Sequence, residues 1–303
     1  KDEVQAGHKK RNWVPLMRGE EVIEYPANQK TLTKRYTEES IQFMTKNKDN
    51  PFFLYLPLTS PHTPIVPSKK WQGKSGLGKY GDFLMETDWV VGEVLDELEK
   101  YKLTDNTIVI FTADNGCSPQ AKISDLIKKG HKPNADWRGH KADIFEGGHR
   151  VPFIVRWPAR VKAGTSCDDP TCLTDLLATM AEILSQKLPA DAGEDSVSML
   201  PNLVGEPKQP VREAIVHHSI NGTFAIRQGK WKLIDAPHSG GWSRPKPAQK
   251  ALYKDLPKIQ LYDLKKDPAE SRNVSVENPG IVKRLKMLLE KYREGGRSVP
   301  VSR

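Results

Sequence analysis

Three loops of this 303-residue chain hold side chains that could do chemistry on an anionic substrate. Asp114 and Asn115 end an apolar run. They offer a carboxylate and an amide oxygen, hard donors of the kind that Ca²⁺ or Mg²⁺ takes. His62 lies in Thr59-Ser60-Pro61-His62-Thr63-Pro64, a loop stiffened by two prolines, where an imidazole can protonate a leaving group. Lys141, beside His140 and Arg138, brings a positive charge that can hold an anion. Each has a plain structural reading when taken alone. Asp-Asn-Gly is a strand-ending turn, and a single loop histidine or lysine is ordinarily a solvated or structural group. Together they describe a site with oxygen donors for a hard cation, an ammonium for an anion and an imidazole for a proton.

The elements that must position these groups are readable from periodicity. Residues 108–112, Ile-Val-Ile-Phe-Thr, are β-branched or aromatic and nearly all apolar, which predicts a strand buried on both faces of a parallel sheet. Ligands in open α/β sheets bind beyond the carboxyl ends of such strands, where Asp114 stands. A second apolar run, 52–56, predicts a strand emptying into the His62 loop. Between the two, Leu84, Val91, Val94, Leu95 and Leu98 mark one face of a helix over 82–101. Strand, helix and strand in that order predict a right-handed parallel crossover. A third strand is predicted over 151–157, just after Glu146-Gly147-Gly148. Further helices are predicted over 31–46, 123–129 and 175–185, and a hairpin over 14–25. The glycines of 73–81 lack the spacing of a phosphate loop, so the stretch reads as a mobile surface segment.

The Pro/Gly-rich stretch 189–210 reads as a connector, placing domains at 1–205 and 206–303. Beyond it the pattern changes. Short strands over 214–218, 223–228, 230–234 and 260–264, with Asn221-Gly222 and Gln228-Gly229 between them, predict an antiparallel sheet. Ile281, Leu285, Leu288, Leu289 and Tyr292 give an amphipathic helix over 279–293 to pack on it. Residues 240–258 read as a long loop. The fold class is therefore α/β, a mixed or mostly parallel sheet between helices followed by a smaller antiparallel sheet with a packed helix.

Composition removes several function classes. Apolar residues make up 37% of the chain, and no run approaches the roughly 18 needed for a membrane span. The net charge of +9 is concentrated at the end, where 227–303 holds 18 Lys and Arg against 8 Asp and Glu. That excess would attract polyanions, but no nucleic-acid recognition motif or aromatic stacking platform accompanies it. Cys117, Cys167 and Cys172 have no metal-binding spacing.

Ordered motifs along nearly the whole chain resemble the formylglycine-dependent type I sulfatases, closest to the arylsulfatase A-like branch. They run from Leu32-Thr33-Lys34-Arg35-Tyr36-Thr37 through Pro51-Phe52-Phe53-Leu54-Tyr55-Leu56 and Ser60-Pro61-His62. They continue with Asp88-Trp89-Val90-Val91-Gly92, Phe111-Thr112-Ala113-Asp114-Asn115-Gly116 and Arg138-Gly139-His140-Lys141. The series closes with Glu146-Gly147-Gly148-His149-Arg150-Val151-Pro152 and Gln260-Leu261-Tyr262-Asp263-Leu264. The resemblance implies an alkaline-phosphatase-like α/β sandwich with a C-terminal antiparallel sheet. It implies that Asp114 and Asn115 are half of a calcium site, that His62 contacts the sulfate ester and protonates the leaving oxygen, and that Lys141 binds a sulfate oxygen. Glu146 and Arg150 match a motif whose role reads as structural.

The chain departs from the family at its nucleophile. The family makes formylglycine from the Cys or Ser of a Cys-x-Pro-Ser-Arg motif, and no such motif is present. Cys117-Ser118-Pro119-Gln120-Ala121 copies only its beginning and has Ala in place of the arginine. The paired aspartates that complete the metal site are also absent, as is the Gly-Lys-Trp-His-like segment. All of these lie upstream in the family. The chain therefore reads as the C-terminal portion of a sulfatase whose missing N-terminal segment is its first partner, on the order of one domain's length.

The expected function is a sulfate-ester hydrolase when complete, with these residues alone inactive. The implied cofactors are Ca²⁺, or Mg²⁺, and a formylglycine on the absent segment. The implied substrate is a sulfated small molecule or glycan, and the implied location is periplasmic, secreted or lysosomal. Two alternatives stand beside it: a phosphate or phosphonate monoester hydrolase of the alkaline phosphatase superfamily, and a non-catalytic polyanion-binding protein using the basic C-terminal region.

Overall fold

The computed structural model describes residues 14–205 and 209–300. They fall into two compact units. One is drawn from 14–107 and 120–131, the other from 108–119, 132–205 and 209–300. The expected boundary between 205 and 206 meets residues 206–208, which lie outside the described residues.

The first unit opens with a hairpin, β1 (Leu16–Arg18) and β2 (Glu21–Glu24), turning through Gly19 at a positive φ of 59° that favours glycine. Two helices follow, α1 (Leu32–Asn47) and α2 (Lys79–Lys100). They pack against each other, and Leu32 and Met44 of α1 and Phe83, Val90 and Leu98 of α2 are buried. Thr45 adds a hydrogen bond to Glu97, 3.2 Å away. A short helix, α3 (Ile123–Lys128), completes the unit.

The glycine-rich stretch before α2 is folded rather than loose. Asp82, buried in the first turn of α2, accepts hydrogen bonds from Gly73 N (2.8 Å), Ser75 N (2.9 Å) and Ser75 Oγ (2.7 Å). Burial works against its charge, but these donors hold its carboxyl below the ordinary range.

Residues 52–56 depart from expectation. Their exposure alternates as in a strand, with Phe53 82% and Tyr55 76% exposed. They pair with no strand among the described residues. An apolar run of five residues specifies an extended backbone, but a ladder needs a neighbour for its N–H and C=O groups.

In the second unit, β3 (Val109–Thr112) pairs with β4 (Phe153–Arg156), which follows the short helix α4 (Glu146–His149). The pair is antiparallel, with Thr112 opposite Phe153, and half-buried rather than buried on both faces. The neighbour that β3 has here is thus antiparallel, where the expectation is a mixed or mostly parallel sheet. Every strand pair among the described residues is antiparallel. Short apolar runs do not distinguish the two kinds of neighbour by periodicity.

Two helices, α5 (Asp175–Ile183) and α6 (Leu200–Val204), lead to the C-terminal sheet. It contains β5 (Ile215–His218), β6 (Phe224–Gln228), β7 (Trp231–Ile234) and β8 (Gln260–Asp263) in that spatial order, all antiparallel as expected. Alternate residues serve two cores. Ile226, Leu233 and Leu261 face α7 (Pro279–Gly295), burying Leu285, Leu288 and Leu289. Ala225, Ile234 and Tyr262 form the other core with Ile144 and Phe145.

Two asparagines fasten the sheet's turns. Asn221 Oδ1 accepts from Ser219 Oγ (2.7 Å) and Thr223 Oγ1 (2.9 Å) in the exposed β5–β6 turn. Asn273 Oδ1 accepts from Leu261 N and Ser275 N (3.0 Å each), while its Nδ2 donates to Ile259 O (3.0 Å). No disulfide joins Cys117, Cys167 or Cys172.

Candidate active site

Asp114 and Asn115 leave the end of β3 in an irregular loop, 113–117, that is stitched to two others. Lys141 N donates to Cys117 O (3.0 Å), and Gly116 N to Gly148 O (3.0 Å). Asn134 bridges the same segments. Its Oδ1 accepts from Cys117 N (2.8 Å), and its Nδ2 donates to Gly139 O (3.2 Å). The backbones approach so closely that side chains would collide. A Cβ on Gly116 would stand 1.8 Å from Gly147 O, and one on Gly147 would stand 2.5 Å from Gly139 O. The Glu146-Gly147-Gly148 motif is therefore a packing device that brings the Asp114 loop beside the Lys141 turn.

The Lys141 turn is fixed from its other side by Asp143, which is 0% exposed. Its carboxylate accepts from His140 N (3.0 Å), Trp242 N (2.7 Å) and Ser243 N (2.9 Å), and from the Ser243 hydroxyl. Such donors are what a buried carboxylate requires. His140 is held too, with Nδ1 3.0 Å from Lys141 O and 3.2 Å from Asp143 Oδ2, and Nε2 3.2 Å from Ser243 Oγ.

Below the turn, Glu146 anchors the site segment to the C-terminal sheet. Lys232 on β7 is fully buried; its Nζ donates to Glu146 Oε1 (3.0 Å) and ion-pairs at 2.9 Å with Glu270 Oε1 at an angle poor for hydrogen bonding. Glu270 Oε2 accepts from Glu146 N (2.7 Å). Burial opposes charge on both acids. Lys232, Arg227 and Arg150 nevertheless hold Glu146 below the ordinary range, whereas burial prevails at Glu270 and pushes it up. His149 and His217 lie beside this cluster with ring centroids 4.4 Å apart and planes tilted by 56°, both Nε2 atoms buried without partners. Burial, then the Lys232 charge, pushes His149 down to about 4 and His217 well below its ordinary value.

The four expected site residues are placed as follows. Asp114 is exposed, and no hydrogen bond or ion pair reaches it among the described residues. Asn115 donates from Nδ2 to Gly116 O (3.0 Å), leaving Oδ1 to accept or coordinate. Lys141 is half-buried in the adjoining turn. His62 belongs to the first unit, exposed on its loop, with Nδ1 2.8 Å from Thr63 O. That loop carries cis bonds before Pro61 and Pro64, and Thr87 of α2 ties it down by donating to Ser60 Oγ (2.8 Å). Arg138 is spent on structure, donating to Tyr262 Oη (3.2 Å) and Glu270 O (2.8 Å) and lying over the Phe145 ring.

Two oxygen donors fall short of the six to eight that Ca²⁺ takes, and no group of three or more His, Cys, Asp or Glu that could hold a metal occurs among the described residues. The uncommitted Asp114 carboxylate and Asn115 Oδ1 fit a hard cation as part of its shell. Residues that motif reading passed over are Asn134, Asp143 and Glu270. Asp143, two positions beyond Lys141, carried a signal by adjacency. The other two carried none.

The fold defines a structural class. Solved neighbours have the alkaline phosphatase-like sulfatase fold. A structure from work on the metabolism of multiple glycosaminoglycans by Bacteroides thetaiotaomicron superposes with a TM-score of 0.79 at 37% identity, covering 88% of this chain and 55% of that one. Sequence comparison is narrower still. The Sulfatase family profile matches residues 4–186, and the chain belongs to that family. It is 40% identical over 263 residues to an N-acetylgalactosamine-6-O-sulfatase of Bacteroides thetaiotaomicron, covering 85% of this chain and 50% of that protein. It is 36% identical over 215 residues to the steryl-sulfatase of Homo sapiens, covering 70% of this chain and 36% of that protein. The chain spans about half or less of the length of these relatives. No helix among the described residues is long and apolar enough to cross a membrane.

Proposed function

We propose that these residues are the C-terminal portion of a sulfate-ester hydrolase acting on a sulfated sugar. The observation that carries the reading is the Lys141 N to Cys117 O bond (3.0 Å), which holds the Asp114–Asn115 loop against the Lys141 turn. The substrate class rests on the N-acetylgalactosamine-6-O-sulfatase relative. In this reading Lys141 holds a non-bridging sulfate oxygen and stabilises the charge that develops there. His62 gives a proton to the departing oxygen. Asp114 and Asn115 would contribute two ligands to a Ca²⁺ or Mg²⁺ ion, which supplies Lewis-acid neutralisation of the sulfate.

The formylglycine nucleophile does not fit any residue here, so it is assigned to sequence outside these 303 residues. The division into 1–205, part of the catalytic α/β domain, and 206–303, a smaller subdomain, goes with the same reading, as does a periplasmic, secreted or lysosomal location.

The test uses the full-length protein with para-nitrophenyl sulfate and phosphate. Sulfate release should fall on the order of 10²-fold or more in His62→Ala or Lys141→Ala. A near-normal rate removes that residue from the mechanism, and preference for the phosphate ester overturns the reaction class. Sulfate release by the 303 residues alone would refute the placement of the nucleophile.

A further inference from the structure

Residues 238–245 form a small closed loop that the structure clamps onto the Lys141 turn. Ser239 N donates to Pro245 O (2.9 Å) and Ser239 Oγ to Ser243 O (2.7 Å), closing the loop on itself across the cis Arg244–Pro245 bond. Ile144 N donates to Ser239 O (2.8 Å), and Asp143 takes the N–H groups of Trp242 and Ser243. The contact excludes any side chain at Gly241, where a Cβ would meet Ala142 O at 2.4 Å and Asp143 Oδ1 at 2.7 Å.

The next residue is Trp242. Its half-exposed indole lies with its ring centroid 6.5 Å from that of His140, the residue preceding Lys141. Its indole N–H makes no hydrogen bond among the described residues. Arg244 and Lys246, both exposed, follow it. A loop fastened by a buried carboxylate is expensive to build merely to display an aromatic ring and two cations. A rigid, partly open indole beside positive charge suits a ring with one apolar face and anionic substituents.

We propose that Trp242 is a specificity-determining residue of the Lys141 site, a platform on which the pyranose ring of a sulfated sugar stacks. Arg244 reads a further anionic group on the same glycan. The assignment rests on the sulfatase reading above, and it places substrate selection on the C-terminal sheet's long β7–β8 connection.

The test compares two probes in the full-length protein. One is N-acetylgalactosamine 6-sulfate, and the other is a short alkyl sulfate, which has no ring to stack. Trp242→Ala should raise KM for the sugar about tenfold with kcat little changed, the scale of one aromatic contact. It should leave kcat/KM for the alkyl ester within about twofold, since Lys141 and Asp143 remain. Trp242→Phe should recover most of the sugar affinity. If Trp242→Ala does not fold, Trp242→Leu keeps the apolar volume while removing the ring face and should give the same split. Arg244→Gln should raise KM only for a glycan carrying a second anionic group. Equal losses on both probes, or no loss on the sugar, overturn the platform while leaving the sulfatase reading intact. Wild-type protein that cleaves neither ester overturns both.

Discussion

The C-terminal sheet and the 52–56 segment are built from the same residue types and have opposite fates. In the sheet, every strand has a partner, and the two faces are covered by α7 and by Ile144–Phe145. In 52–56 the alternation is as clear, yet Phe53 and Tyr55 stand in solvent and the backbone pairs with nothing described. Pattern alone specifies which face wants burial. Only a neighbour delivers it. The sheet finds its neighbours within about 50 residues of chain, through turns it carries itself; the isolated segment does not.

The largest effect should come from breaking what closes the sheet's second face. Lys232→Met leaves Glu146 and Glu270 buried without their shared cation, which should cost about 3–5 kcal/mol in urea unfolding. A loss below about 1 kcal/mol would mean that the cluster relaxes into solvent. An intermediate effect should follow from pH. His149, held at about 4, and His217, held well below 6.5, stay neutral in the folded chain while the unfolded chain protonates both near 6.5. Stability should therefore be full above about pH 6.5 and fall as pH drops towards 4, because the unfolded state binds more protons there. Glu146, with its pKa lowered, loses its contribution only below its ordinary 4.5, whereas Glu270, pushed up, takes a proton in the folded chain above 4.5 and works in the opposite sense. The imidazole contribution is therefore read from the difference in slope between the wild type and a histidine variant. A His217→Phe variant with the wild-type slope would refute the assignment.

The smallest effect belongs to the open segment. Tyr55→Thr should change unfolding free energy by no more than about 0.5 kcal/mol, as for other exposed positions. It should still reduce self-association in sedimentation velocity, since an apolar unpaired strand invites another. Unchanged association would show that the segment is shielded in solution.

What was legible in the sequence follows the same division. The hairpins of the C-terminal sheet, with Asn221-Gly222 and Gln228-Gly229 at their turns, and the stripe of α7 are local patterns, and the structure forms the sheet and the helix where they predict them. The expected parallel crossover rests on apolar runs too short to specify a neighbour, and the neighbour that β3 has among the described residues is the antiparallel β4. At the candidate site, Asp114-Asn115 and Lys141 were recognisable by motif. The residues that join their loops were not, because their partners are remote: Asn134 acts 17 positions away and Asp143 reaches Ser243, 100 positions on. Arg138, grouped by sequence with the chemistry, is consumed by Tyr262 and Glu270.

The two asparagines that fasten the sheet's turns both lie in Asn-x-Ser/Thr sequences, the acceptor pattern for N-linked glycans. A glycan is attached at Nδ2, and the two amides differ there. Asn273 uses Nδ2 to hold Ile259 O at 3.0 Å in a half-buried turn, so a sugar would have to displace the clasp at the start of β8. Asn221 works entirely through Oδ1 and keeps Nδ2 uncommitted in an exposed turn. In a glycosylating compartment the chain should gain one glycan, at Asn221, which peptide mass mapping would show directly; occupancy at Asn273 would mean that its turn opens before the sheet closes.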